Sequence, residues 1–287
     1  MTSRMNRATI FIAVVFTATT VRAGGLEYRA EKRSKPRPLQ IHVLQVDLAD
    51  KAHELAVAVG DDPDGDGPAE AQLMEPRDFV SRAHFVAAVN ANAWGNLPAS
   101  PKGESPVYRS GGACDMLGWV LSDGVQRSPA DKSVWSFWLD EEGRGHVGNL
   151  KEAVPAHLAI SGFSGLLRDG EILPRQKEGS PLHPRTALGL DAEGKRLTLV
   201  VVDGRQPGIS EGMSEYELAG LMKELGCRDA LNLDGGGSSV LIRNGRIINH
   251  PSESSGPRPV PVMIGVRPLD PADRGGNGIE TAGPRNQ

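Results

Sequence analysis

The sequence predicts an α+β protein: a mixed, largely antiparallel β-sheet core with a few packed helices, in a single domain. Three observations point there. From Trp119 onward, the pairs Asp123-Gly124, Asp169-Gly170, Glu193-Gly194 and Asn244-Gly245 separate short apolar runs, as the tips of hairpins and tight turns do. One helix is plainly written: Ser214 and Glu217 form a capping box, Leu218, Leu221, Met222 and Leu225 share a face, and Gly226 supplies the stop. A chain of 287 residues, 39% apolar, can also bury a genuine core.

Taken in order, the chain opens with Arg4 and Arg7 ahead of an apolar run over 8–21, and Val21-Arg22-Ala23 presents short residues where a signal peptidase reads. Residues 1–23 are therefore expected to be a signal peptide cleaved after Ala23, giving an extracytoplasmic protein, secreted or periplasmic, with no stable membrane insertion afterwards. Residues 24–38 are polar and basic with two prolines, the composition of a solvated linker. The folded region is expected over 39–268, and the tail 269–287, rich in Gly, Pro, Arg and Asn, is expected to be disordered. A net charge of -4 without a basic patch argues against nucleic acid as partner. Cys114 and Cys227 permit one disulfide but do not require it.

Residues 40–48 alternate like a half-buried strand, and 54–59 look like its neighbour. The acidic loop 61–67 spaces Asp62, Asp64 and Asp66 as a calcium loop would, but Leu73 stands where the closing Glu is needed; a divalent cation is possible, and none is required. A short helix is expected over 76–84, followed by an apolar strand over 85–89 that runs into Asn90-Ala91-Asn92. Segments 165–173 and 240–248 share one hairpin pattern. Strand 197–202, the capped helix and strand 230–233 permit a parallel crossover, which would bring Asp203 and Asp234 to one sheet edge.

The chemistry centres on 231–239, Leu-Asn-Leu-Asp-Gly-Gly-Gly-Ser-Ser. Three consecutive glycines are entropically costly in a plain loop, whereas bare backbone can turn N–H groups toward an anion. A tight connection between strands is the plainer alternative. Asp234, Gly235, Gly236, Gly237, Ser238 and Ser239 join His183-Pro184-Arg185-Thr186 and Asp203-Gly204-Arg205 in a set suited to a phosphoryl group: arginine forks for the oxygens, a carboxylate as base or nucleophile. Trp94, Trp119, Trp135 and Trp138 are candidates for stacking on a sugar, although core packing is the commoner use of such rings.

These segments resemble the phosphodiester glycosidase family over about 39–268. The resemblance is carried by Ala88-Val89-Asn90-Ala91-Asn92, Arg185-Thr186-Ala187-Leu188-Gly189, Val202-Asp203-Gly204-Arg205, the glycine string with its flanks from Ala230 to Ser239, and Arg258. It implies hydrolysis of a sugar-1-phosphodiester, with a cell-envelope glycan as one candidate substrate. It further implies catalytic roles for Asp234, Asp203 and Arg185, and substrate or phosphate contacts from Asn90, Asn92, Arg205, Gly235 to Ser239, and Arg258. Two rivals remain. Gly208-Ile209-Ser210-Glu211-Gly212 fits a nucleophile elbow, with Asp234 and His250 following in triad order. The other is a binding module that holds an anionic glycan without cleaving it.

Overall fold

A computed structural model of the chain describes residues 16–175 and 179–269. The first fifteen residues of the expected signal peptide, and the expected disordered tail from 270 on, lie outside them. Eight strands form the largest sheet, in the order Phe16–Ala23, Leu26–Arg33, Leu39–Asp47, Arg196–Val202, Arg185–Leu190, Asp229–Asn232, Ser164–Arg168, Glu171–Ile172. The central strands are buried on both faces, which explains why Arg196–Val202 reads as a continuous apolar run. Leu199 and Val201 face a core shared with three smaller sheets. Val200 and Val202 face the other way, onto helix α2 (Glu215–Glu224).

The smaller sheets are two of five strands and one of three. One five-stranded sheet holds Ala87–Asn90 between Leu241–Arg243 and Val262–Pro268, with His53–Val59 at its edge. Helix α1 (Pro76–Arg82) buries Phe79 and Val80 in the same apolar cluster as Ala88, Ile242 and Met263 of this sheet. The expected glycine turns form as written. Both residues of Asp123-Gly124, Asp169-Gly170 and Asn244-Gly245 have positive φ, the type I′ geometry that matches strand twist. Helix α2 starts on the expected capping box, with Ser214 Oγ accepting the Glu217 N–H, and Gly226 follows with φ 85°.

Four expectations need correction. The stretch 24–38 is not a linker: Leu26–Arg33 pairs with Leu39–Asp47, and Arg37 donates to Glu217 at 2.5 Å and to the Gly212 carbonyl. The basic composition hides an alternation in which Leu26 and Tyr28 turn to the core while the charged Glu27 lies between them and Arg29 follows. Apart from these, Phe16–Ala23 pairs with Leu26–Arg33 as an edge strand, a pairing that does not bear on whether residues 1–23 are removed as a signal peptide. Strand Leu39–Asp47 is buried on both faces rather than one, and His53–Val59 belongs to a different sheet. Finally, every paired ladder among the described residues is antiparallel, so the sheet is not mixed. Arg196–Val202 and Asp229–Asn232 do run in the same direction, but Arg185–Leu190 lies between them and is antiparallel to both.

That arrangement positions the site. Arg185 pairs with Val202, and Ala187 with Asn232, so the start of one strand and the ends of two others meet at one edge. Cys114 and Cys227 are both free and buried, and burial pushes their thiols up to about 12 and about 11.

Candidate active site

At this edge lies a cavity of about 220 Å³ lined by Arg185, Arg205, Arg258, His183, Phe163 and the segment from Asn232 to Gly237. Backbone bonds seat the glycine segment. The Leu233 N–H donates to the Thr186 carbonyl, Asp234 N–H to Ala91, and Gly236 N–H to Pro184, all within 3.0 Å. Gly236–Ser238 then forms a single 3₁₀ turn, in which Ser238 N–H reaches the Gly235 carbonyl and Ser239 N–H that of Gly236.

The glycines therefore do something other than form the expected amide cradle, because the Gly236, Ser238 and Ser239 N–H groups are taken within the protein. They clear room for cations. Gly236, at φ 61°, lies under the Arg205 guanidinium, whose Nη2 would stand 3.1 Å from an added Cβ. A Cβ on Gly237 would collide with Glu253 Oε1 and Arg258 Nη2, so only a bare residue lets that ion pair lie across the turn. The positive charge facing the cavity is supplied by three arginines.

Each arginine is held differently. Arg185 is buried at the strand start; its Nε donates to the Met213 carbonyl at 2.9 Å, and its nearest carboxylate is Glu215 at 3.7 Å. Burial disfavours its charge, so an anion in the cavity would complete its pairing. Arg258 is fixed by Glu253 and lies on the Tyr108 ring, 4.1 Å from the centroid. Arg205 is exposed, at φ 59°, with Nη2 3.3 Å from His183 Nδ1. A guanidinium only donates, so Nδ1 is the acceptor and the imidazole carries its proton on Nε2. Burial, then the charges of Arg205 and Arg185, lower the His183 pKa and favour the neutral ring.

Asp234 keeps part of its surface open to the cavity while protein packs around it. Burial pushes its carboxyl up to about 6, opposed by the Ser238 hydroxyl, the Arg258 charge and the Gly235 N–H. It is thus a carboxylate poised near neutral pH beside a cluster of cations.

Other expected residues lie elsewhere. Asp203 reaches the same sheet edge, but its carboxylate turns inward and does not line the cavity. Asn90 is a buried post: its Nδ2 donates to the Asp234 carbonyl at 2.7 Å, and its Oδ1 accepts from Thr186 Oγ1 and Val240 N–H, bracketing the glycine segment. Asn92 is equally buried, donating to the Leu117 carbonyl and accepting the Ser161 N–H, so it orients strands rather than substrate. Both amides are committed to partners inside the protein, mostly backbone, which is the reason neither is available to a ligand. Ser238 and Ser239 are buried behind the turn.

Ser210 is no nucleophile. It is fully buried, donating to the Asp203 carbonyl at 2.6 Å and accepting the Gln40 N–H. None of the four tryptophans lines the cavity: Trp119 is buried, Trp138 stacks on His146, Trp135 lies under Arg168 and Trp94 meets Tyr108 edge-on. The aromatic at the rim is Phe163, 44% exposed, at the junction where Leu158–Gly162 hands over to Ser164–Arg168. Sequence reasoning missed Phe163, Glu253 and Tyr108. The charge pair Glu253 and Arg258 was the one available signal, since the other two depend on which loops meet.

In the acidic loop, the Asp62 carboxylate accepts the Asp64 and Gly65 N–H groups and Asp64 accepts that of Ala69, the bonding of an ordinary turn. Among the described residues no three His, Cys, Asp or Glu side chains cluster as a metal site would need.

Comparison with known proteins places the chain in a family. A family model described as phosphodiester glycosidase matches residues 83–267. Mouse N-acetylglucosamine-1-phosphodiester alpha-N-acetylglucosaminidase is 30% identical over 167 residues, 50% of this chain and 31% of its own length. A prophage-derived uncharacterized protein of Bacillus subtilis, YomE, is 34% identical over 194 residues, 61% of this chain and 27% of its length. The chain thus spans less than a third of these curated relatives. The catalytic domain of the zebrafish N-acetylglucosamine-1-phosphodiester alpha-N-acetylglucosaminidase, auto-inhibited by its pro-peptide, superposes with a TM-score of 0.64 over 88% of both chains at 24% identity, a likeness of fold. With the family model covering Ala83 through Arg267 and the glycine turn between, the chain belongs to the phosphodiester glycosidase family of hydrolases.

Proposed function

We propose that this chain hydrolyses a sugar-1-phosphodiester outside the cytoplasm, releasing the sugar and leaving a phosphomonoester. The observation that carries the reading is the convergence of Arg185, Arg205 and Arg258 with Asp234 on one cavity. Water attacks the anomeric carbon, the bond from that carbon to the phosphate oxygen breaks, and its electron pair leaves with the phosphate. A phosphate monoester has a second pKa of about 6, so it leaves without a strong general acid when arginines hold its charge. Asp234 takes the proton from the attacking water, or attacks first and is then released by water; a carboxylate can serve either route. Phe163 supplies the apolar rim against which a sugar ring or the aglycone rests.

The extracytoplasmic address rests on Arg4, Arg7, the apolar run 8–21 and Val21-Arg22-Ala23, and a cell-envelope glycan is the substrate class that such an address supplies. No helix among the described residues is long and apolar enough to cross a membrane.

The test incubates purified protein with a panel of sugar-1-phosphodiesters, with and without chelator. Asp234→Asn is expected to lower kcat by about a thousandfold while inorganic phosphate still binds. Failure of the wild type to release sugar from every member of the panel would overturn the proposal.

A further inference from the structure

Asp203 is a carboxyl side chain at this sheet edge that is wholly buried and excluded from the cavity. Its contacts converge from three directions. Oδ1 accepts the Asn249 Nδ2 at 3.1 Å and the His250 N–H at 3.0 Å, and Oδ2 also lies 3.1 Å from the His250 nitrogen. On the far side, His42 Nε2 stands 3.5 Å from Oδ2, and His42 Nδ1 is bonded to the Tyr28 hydroxyl at 2.9 Å. Asn249 extends the web: its Oδ1 accepts the Leu241 N–H, and its Nδ2 donates to the Ser239 carbonyl.

These bonds join parts of the chain that carry the site. Ser239 ends the glycine turn, His250 begins the segment leading to Glu253 and Arg258, and Arg205 follows Asp203 by two residues. Gln206 Nε2 adds a bond to the His250 carbonyl at 3.0 Å. The Leu241 and Ser239 bonds fix which way the Asn249 amide points, so position 203 must offer an acceptor there.

We infer that Asp203 is a positioning residue, which locks the glycine turn and the Arg258-bearing segment into the phosphate-facing arrangement and takes no part in the bond-making step. The inference rests on the proposed phosphodiester reading for what that arrangement serves. Its physical basis is that a buried acceptor with converging donors organises its surroundings, whereas an acid, base or nucleophile must reach the reacting atoms.

Two substitutions separate the roles. In Asp203→Asn one amide oxygen can still accept from both Asn249 and His250, so kcat/KM stays within about tenfold of wild type. In Asp203→Ala the acceptor is gone, and affinity for inorganic phosphate, measured by calorimetry, falls about ten- to a hundredfold together with kcat/KM. Asn249→Ala, which leaves Asp203 in place, shifts phosphate affinity in the same direction. Hydrogen exchange at His250 and at Leu241 quickens in Asp203→Ala while the sheet centre keeps its protection, which separates local loosening from unfolding. The inference is overturned if Asp203→Asn is as inactive as Asp203→Ala with phosphate affinity intact, or if exchange at those amides is unchanged in Asp203→Ala. A wild type that binds phosphate but cleaves no phosphodiester overturns the proposed reaction alone, since calorimetry and exchange need no turnover.

Discussion

Asp234 is held by packing at a carboxyl pKa of about 6, with Ser238, Arg258 and the Gly235 N–H pulling against the burial that raises it. For a base or nucleophile this sets the acidic limb of activity: kcat/KM should rise with pH through about 6 as the carboxylate forms, and a profile without a limb there would remove Asp234 from that role. The same shift has a stability consequence of definite sign. The folded chain holds this proton more tightly than the unfolded chain, so the contribution is fully present below the ordinary carboxylate range and is lost as pH rises through about 6. Asp234→Asn should therefore melt above wild type at pH 7.5 in a calorimeter, and the gap should close at pH 4. Gly237 offers a complementary test. An added methyl meets only the ends of Glu253 and Arg258, which can swing away, so Gly237→Ala should cut activity at least tenfold while Tm changes little. A large fall in Tm would show that the backbone, not the ion pair, needs the glycine.

At the scale of elements, the structure follows local sequence wherever a single segment decides the outcome. The Ser214 and Glu217 box, the three Asp-Gly or Asn-Gly turns and the buried run of Arg196–Val202 all form as their residues dictate, because each depends on contacts within a few positions. Helix α2 also matters to the site, since Glu215 in its first turn faces Arg185 and Glu217 holds Arg37. Ser214→Ala removes the cap and should cost about 1 kcal/mol, a fall in Tm of about 2–4 °C for a chain of this size; an unchanged Tm would mean that packing against the sheet alone sets the helix start. Local reading failed at Leu26–Arg33, where charge concealed a two-residue alternation, and at Glu54, which begins a run resembling the neighbour of Leu39–Asp47 but pairs in another sheet.

Across the whole molecule, the large sheet works as a frame whose one edge gathers the chemistry. Phe16–Ala23 adds only to its rim, pairing with Leu26–Arg33, whereas Leu26–Arg33 pairs along its length with Leu39–Asp47 and packs Leu26 and Tyr28 into the core. A chain beginning at Gly24 should therefore fold with nearly the wild-type melt by circular dichroism, and one beginning at Ser34 should melt several degrees lower. Equal melts for the two would show that Leu26–Arg33 is dispensable.

What the sequence determines by itself is the inventory and its order: a largely antiparallel protein with one well-capped helix, a glycine string beside Asp234, arginines at 185, 205 and 258, and a family resemblance that the matched region bears out. Only the tertiary structure decides which of these face the cavity. Asn90, Asn92 and Asp203 sit in motifs as telling as that of Asp234, yet each turns its polar atoms to buried partners. Phe163 and Glu253, which no motif marks, arrive at the rim or beneath an arginine. The reason is physical: turn and cap preferences are properties of neighbouring residues, but whether a polar side chain meets solvent or a distant backbone group is settled when strands far apart in sequence close into one sheet.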